Sequence, residues 1–293
     1  MSELQMMNRA EELRQAALEK VRGSELEAAI AMYDDALAIA DDEELRELIT
    51  INKADALIGL ERSGAEVAAL PAIVMRRRNL RHVYLAAYSL QYKCRLDNDV
   101  QRARSYGRIA IQTAEALDHS LWKMFALNEL GIVNEIDSKF AEAIDCFEGA
   151  LEVMESSEAR DEFGRAYALE NLGYCQLLTG DVQTGIDNIH TALTILKDPL
   201  GTAEAYVDLC YGYLELGDLE RARFYGEAGL EVARDNRQIR NSHYLLGEVA
   251  YKTGDSEAAD YHFDCLAKFY PDFRHLKSLL YAIDLRSMVN LKL

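Results

Sequence analysis

Residues 171–193 read NLGYCQLLTGDVQTGIDNIHTAL, and the pattern returns twice without gaps, as DLCYGYLELGDLERARFYGEAGL at 208–230 and LLGEVAYKTGDSEAADYHFDCLA at 245–267. Gly180-Asp181, Gly217-Asp218 and Gly254-Asp255 recur at intervals of 37 residues. A fourth copy, ELGIVNEIDSKFAEAIDCFEGAL at 129–151, carries Asp137-Ser138 at the corresponding turn. A fixed period of this size marks stacked supersecondary units, and finding it decides the fold before any other reading.

Physical roles account for the shared positions. A first helix carries Leu and then a small residue, as in Leu130-Gly131, Leu172-Gly173 and Leu246-Gly247, or Leu209-Cys210. The small residue lets a second helix approach. Gly then takes a left-handed turn conformation that other residues resist, and Asp is expected to cap the following helix. The second helix opens with a small residue and continues with an apolar one: Ala143 and Phe147, Gly185 and Ile189, Ala259 and Phe263, with Ala150 and Ala192 one turn later.

This set of marks resembles the tetratricopeptide repeat, and Pro271 falls where that family often ends a repeat. Earlier copies diverge more. One has Ala103, Gly107 and Ala110 in its second helix, with Gln91 at the small position; another has Ala29, Tyr33 and Ala36. Between them lies a copy with Leu57 at the small position, Gly64 expected at the turn and Pro71 near the start of the second helix. The small-position markers are Ala17, Leu57, Gln91, Gly131, Gly173, Cys210 and Gly247, spaced by 40, 34, 40, 42, 37 and 37 residues. Most exceed the length usual in the family. They resemble the long-repeat branch that includes kinesin light chains and bacterial peptide-pheromone receptors.

The resemblance implies an all-α fold, a right-handed superhelix of about seven helix-turn-helix repeats in one solenoid spanning 1–293. Approximate repeats are 3–42, 43–80, 81–117, 120–156, 162–197, 201–235 and 238–271. Residues 272–293 read as an amphipathic helix, with Leu276, Leu279, Leu280, Ile283 and Met288 at helical spacing, that caps the last repeat, docks elsewhere or dimerises. The apolar tail Val289–Leu293 has no specific reading at this level. The first repeat helix is expected to begin almost at once, leaving no room for a DNA-binding module such as pheromone receptors carry.

Composition narrows the function. The net charge of −18 argues against binding nucleic acid or anionic membrane as a global property. No apolar run is long enough for a membrane span, and MSELQMMNRAEEL lacks the basic start and apolar stretch of a secretory signal, so a cytoplasmic location is expected. Cys94, Cys146, Cys175, Cys210 and Cys265 form no C-x-x-C pair and read as reduced core residues. Phosphate-loop, dinucleotide and nucleophile-turn motifs are absent, and the six histidines make no close metal-ligand pair. Neither a catalytic residue, a metal site nor a cofactor is expected.

Two features stand out. Residues 76–108 hold nine Lys or Arg against two acids, a local net of +7 against −25 for the rest. Within that stretch Arg76, Arg77, Arg78 and Arg81 sit at a predicted helix end. They either pair with acids of neighbouring repeats or form a docking patch for an acidic partner.

The second feature is the face of each first helix opposite the Leu-Gly seam, which in the family lines the concave surface. It collects Tyr88, Tyr92, Phe125, Asn128, Glu129, Tyr167, Glu170, Asn171, Tyr174, Glu204, Asp208, Tyr211, Tyr244 and Glu248, with no cation. These residues either pack against adjacent helices or form a peptide groove. In a groove the aromatics supply contact area, Asn128 and Asn171 bond a peptide backbone, and the acids select basic residues. The family's carboxylate clamp for chaperone tails requires cations missing here. The expectation is a scaffold binding a protein or peptide partner with basic and apolar residues. The alternative is a regulatory sensor whose superhelix rearranges on binding a peptide.

Overall fold

Where the register places a glycine in a first helix, that residue is a point of near-contact with the second. A computed structural model of the chain describes residues 3–156, 161–270, 273–282 and 290–292. A Cβ added at Gly131 would lie 2.5 Å from the Phe147 ring, and one at Gly173 would lie 2.7 Å from the Gly185 carbonyl oxygen. Real side chains do not reach such distances, so both positions exclude anything larger than glycine.

The helices pair accordingly. They are α1 Glu3–Arg22 with α2 Leu26–Ile39, α3 Glu43–Gly59 with α4 Ala65–Arg76, and α5 Leu80–Leu96 with α6 Val100–Ala116. Then come α7 Ser120–Ile136 with α8 Phe140–Ser156, α9 Glu162–Thr179 with α10 Val182–Ile195, and α11 Pro199–Glu215 with α12 Leu219–Val232. The last are α13 Asn236–Thr253 with α14 Ser256–Asp264, a 3-10 turn Cys265–Lys268, and α15 Phe273–Ala282. No strand occurs among the described residues.

Where Gln91 and Cys210 stand in place of glycine, the second helix supplies the glycine across the hairpin. Gln91 is fully buried, and its side chain fills the space over Gly107, sixteen positions later. Cys210 likewise faces Gly226 at the same offset. The offset is that of Gly131 to Phe147, with bulk and space on opposite sides.

Turn chemistry follows the sequence in part. Gly180, Gly217 and Gly254 have φ of 94°, 74° and 79°, the left-handed geometry expected of them. Gly64 does not: its backbone is extended, and Glu61 takes the left-handed position of that turn with φ 54°. The carboxylates of Asp99, Asp218 and Asp255 accept from backbone N–H groups of the following helix, whereas Asp181 makes no such bond. First helices are capped too, by Asp42, Asp161, Asp198 and Asp235. Pro71 lies inside α4 without ending it.

The chain divides into two compact units, Met1–Leu130 and Gly131–Leu293, with the boundary inside α7. The first unit has cores around Tyr33 and around Ile58, Leu70 and Tyr84. The second is built on Tyr174, Ile186, Ile189, Leu209 and Phe263, and it includes Leu291. Helix α15 packs against the last hairpin, where Tyr281 donates to Asp260 at 2.8 Å and Lys277 pairs with Asp264 at 2.7 Å. Leu280 is buried there and Leu279 exposed. Pro271, Ile283, Met288, Val289, Leu293 and the Leu276 side chain lie outside the described residues. Cys94, Cys175 and Cys210 are buried, and none of the five cysteines forms a disulfide. Among the described residues no helix is long and apolar enough to cross a membrane.

Candidate functional site

In the second unit the first helices α9, α11 and α13 turn acidic residues inward. Glu170, Glu204 and Asp208 are almost fully buried, at 2%, 9% and 1% exposure, so each must find a partner or give up its charge. The partner is Lys292. Its ammonium lies 2.7 Å from Glu170 Oε1, 2.9 Å from Asp208 Oδ2 and 3.5 Å from Glu204 Oε2, with the Tyr174 ring 4.9 Å away. These acids hold the ammonium protonated well above the usual lysine range, outweighing its burial.

Glu204 is also gripped from α13. Arg237 donates to both its oxygens, at 3.0 and 2.6 Å, and Gln238 adds a third bond at 2.9 Å. Although burial works against the charged form, Lys292 and Arg237 together bring the Glu204 pKa below its ordinary value. Glu135 on α7 has no such grip. Burial, reinforced by Glu170 and Glu204 and offset by Lys292, raises its carboxyl to about 8.

The two residues before Lys292 are bound through their polar atoms. Tyr174 Oη accepts from the Leu291 N–H at 2.9 Å and donates to Asn290 Oδ1 at 3.1 Å. Asn241 Nδ2 donates to the Leu291 carbonyl at 2.5 Å, and Asn290 Nδ2 donates to the Glu135 carbonyl at 2.9 Å. The Leu291 side chain is 2% exposed. Thus four first helices hold a three-residue segment by its main chain, one apolar side chain and one ammonium.

Glu170, Tyr174, Glu204 and Asp208 therefore converge on one spot. Tyr211 and Tyr244 belong to the apolar core of the same unit, and Glu248 and Asn171 are buried. Tyr167 works elsewhere, donating to the cap residue Asp198 at 3.2 Å and so tying α9 to the start of α11. Asn241 on α13 bonds the main chain of Leu291. Glu135 extends the acidic face along α7, and Arg237 places a cation one turn before Asn241 on α13, signals present in the helical spacing. Lys292 carried no local signal, because 122 residues separate it from Glu170.

In the first unit the corresponding face is closed by its own cation. Arg95 donates to Glu129 at 2.5 Å while its guanidinium lies 4.8 Å over the Tyr92 ring. Burial still raises Glu129 above the usual carboxylate range, with Arg95 opposing. Ser89 donates to Asp55 at 2.9 Å, and Tyr88 and Phe125 are half-buried. Asn128 Oδ1 is buried without a hydrogen bond among the described residues.

The basic run lies at the end of α4 and the start of α5. Arg76 pairs with Glu47 at 2.7 Å, Arg78 with Glu43 at 2.5 Å, and His82 Nδ1 is 2.9 Å from the other Glu47 oxygen. Arg78, His82 and the α3 acids line a cavity of about 320 Å³. Arg77 and Arg81 are exposed.

No protein-family model matches the sequence, and no curated protein matches it significantly. Solved structures do. The apo form of the quorum sensor NprR from B. thuringiensis superposes with a TM-score of 0.73 at 14% identity, over 93% of this chain and 79% of that one. The chain thus has a tetratricopeptide-repeat-like fold. A Rap protein complexed with competence and sporulation factor gives 0.67 at 14% identity, over 95% and 79%. A tetratricopeptide repeat protein from Parabacteroides merdae gives 0.59 at 14%, over 94% and 98%. At these identities the likeness establishes the all-α solenoid fold and nothing finer.

Proposed function

We propose that the chain is a non-enzymatic interaction scaffold whose second unit binds a peptide or a peptide-like segment of a partner protein on its first-helix face. One observation supports this most: Tyr174 and Asn241 bond the N–H and the carbonyl of a single residue, Leu291. Such paired main-chain bonds hold a peptide whatever its side chains, and neighbouring pockets then set specificity. Repeat folds of this kind present extended binding surfaces.

A sensor is the second reading. It is favoured because the face already holds part of its own chain, so a ligand arriving there changes a contact the protein makes with itself. Two of the similar structures are a quorum sensor and a Rap protein bound to a factor.

Selection of a random peptide library on the full chain tests both. Peptides should be recovered whose binding falls by about tenfold or more in Asn241→Ala, the loss expected of a buried hydrogen bond. A small-angle scattering profile that changes on peptide addition selects the sensor, and an unchanged profile selects the scaffold. If no peptide is recovered, or if every recovered peptide ignores Asn241, the reading fails.

A further inference from the structure

Asn290, Leu291 and Lys292 are held by contacts typical of a bound ligand rather than of a repeat core. Their main chain is bonded, the Leu291 side chain is enclosed, and the ammonium is shared among three carboxylates. Without Lys292, Arg237 would be left as the cation facing four buried acids, counting Glu135. Glu135 Oε2 is buried and makes no hydrogen bond among the described residues, even with Lys292 in place. The site therefore has a buried carboxyl oxygen that its present occupant does not bond. It is built for a cation, and the cation arrives on a segment joined to the unit outside the repeats.

Resting on the peptide-binding reading above, we infer that this cavity recognises a partner peptide in which an apolar residue directly precedes lysine, and that residues 290–292 occupy it in cis as a competitive pseudo-ligand. The order of residues follows from the geometry. The main chain of the apolar residue is fixed between Tyr174 and Asn241, and the side chain of the next residue then reaches Asp208 and Glu170. A tethered competitor acts at high effective concentration, so apparent affinity for a free peptide is lowered by the fraction of molecules whose site is open. A partner must outcompete the segment, and doing so releases it.

The test uses the full chain and a fluorescent, acetylated and amidated peptide Val-Asn-Leu-Lys, with Val-Asn-Leu-Gln as its control. The double variant Leu291→Ser, Lys292→Gln should stay folded, because the change lies outside every helix hairpin, and circular dichroism checks this. It should bind the lysine peptide about tenfold or more tightly than the unaltered chain does, and the glutamine peptide should fail on both. Adding Asp208→Asn should abolish the gain. Equal affinity of the two chains for the lysine peptide would overturn cis occupancy. Equal binding of the lysine and glutamine peptides would overturn lysine recognition, while leaving general peptide binding intact if library peptides still depend on Asn241. Loss of those library peptides as well would fell the underlying reading. Sedimentation adds a last outcome: a dimer of the unaltered chain that the double variant turns into a monomer would mean that a second copy supplies the segment, which also overturns the inference. Should the double variant unfold, Lys292→Gln alone with the same peptides separates the same outcomes.

Discussion

Single residues decide how closely these helices pack, and Gly173 is the sharpest case because an opposing atom is a backbone carbonyl oxygen. Backbone cannot swing aside as a side chain can. Gly173→Arg should lower stability by about 1–3 kcal/mol through overpacking, with more from the buried charge. The same change at exposed Gln183, which bonds Asp187 one turn on, should stay within about 0.5 kcal/mol. Equal melting temperatures for the two variants would contradict the register. Glu135 offers a second residue-level test through pH. Its folded pKa of about 8 exceeds the ordinary 4.5, since burial and the acids Glu170 and Glu204 outweigh Lys292 and Arg237. Between those values the folded chain keeps a proton that the unfolded chain has lost. Stability from this group is therefore full below pH 4.5 and falls as pH rises to about 8, with a slope of at most about 1.4 kcal/mol per pH unit. Melting profiles should decline less over that window in Glu135→Gln than in the unaltered chain, and parallel declines would contradict the assignment.

At the scale of elements, the hairpins were largely legible because their signals are local. The sixteen-residue offset from Gly131 to Phe147 and from Gly247 to Phe263 can be read directly from the sequence. Where Gln91 and Cys210 replace the glycine of the first helix, Gly107 and Gly226 stand at the same offset. Turns were harder. Gly64 looked like the turn residue, yet Glu61 takes the left-handed conformation, because a turn's register depends on where the helix before it stops. The Asp198 and Asp235 caps sit between hairpins, where the connections vary in length and no Gly-Asp pair marks the helix start. At the α4–α5 junction the charged run divides into paired and exposed cations. Arg76 and Arg78 pair with acids on α3, and Arg77 and Arg81 stay exposed. We expect Arg76→Glu with Arg78→Glu to cost about 0.5–2 kcal/mol of stability, two partly exposed pairs lost and like charges brought near Glu43 and Glu47. Thermal denaturation checks this. Arg77→Glu with Arg81→Glu should leave stability unchanged and affect only an acidic partner, read by pull-down with a polyglutamate peptide.

In the whole molecule, two faces of similar sequence character differ in how their charge is balanced. In the first unit Glu129 is matched by Arg95, 34 residues away and one repeat earlier. In the second, Glu170 of α9 and Asp208 of α11 pair with a cation from outside the repeats. That distinction was invisible in the sequence. The acidic face and its aromatics were readable from helical spacing, and a basic-plus-apolar ligand was the natural complement, but nothing local linked Leu291 and Lys292 to that role. The central claim is that ligand peptides sit on the first-helix face of the second unit. Hydrogen exchange read by mass spectrometry, with and without a saturating library-selected peptide, addresses it most directly. Added protection is expected in α9, α11 and α13, with α10, α12 and α14 unchanged. Protection confined to the second helices, or to the α4–α5 junction, would contradict it.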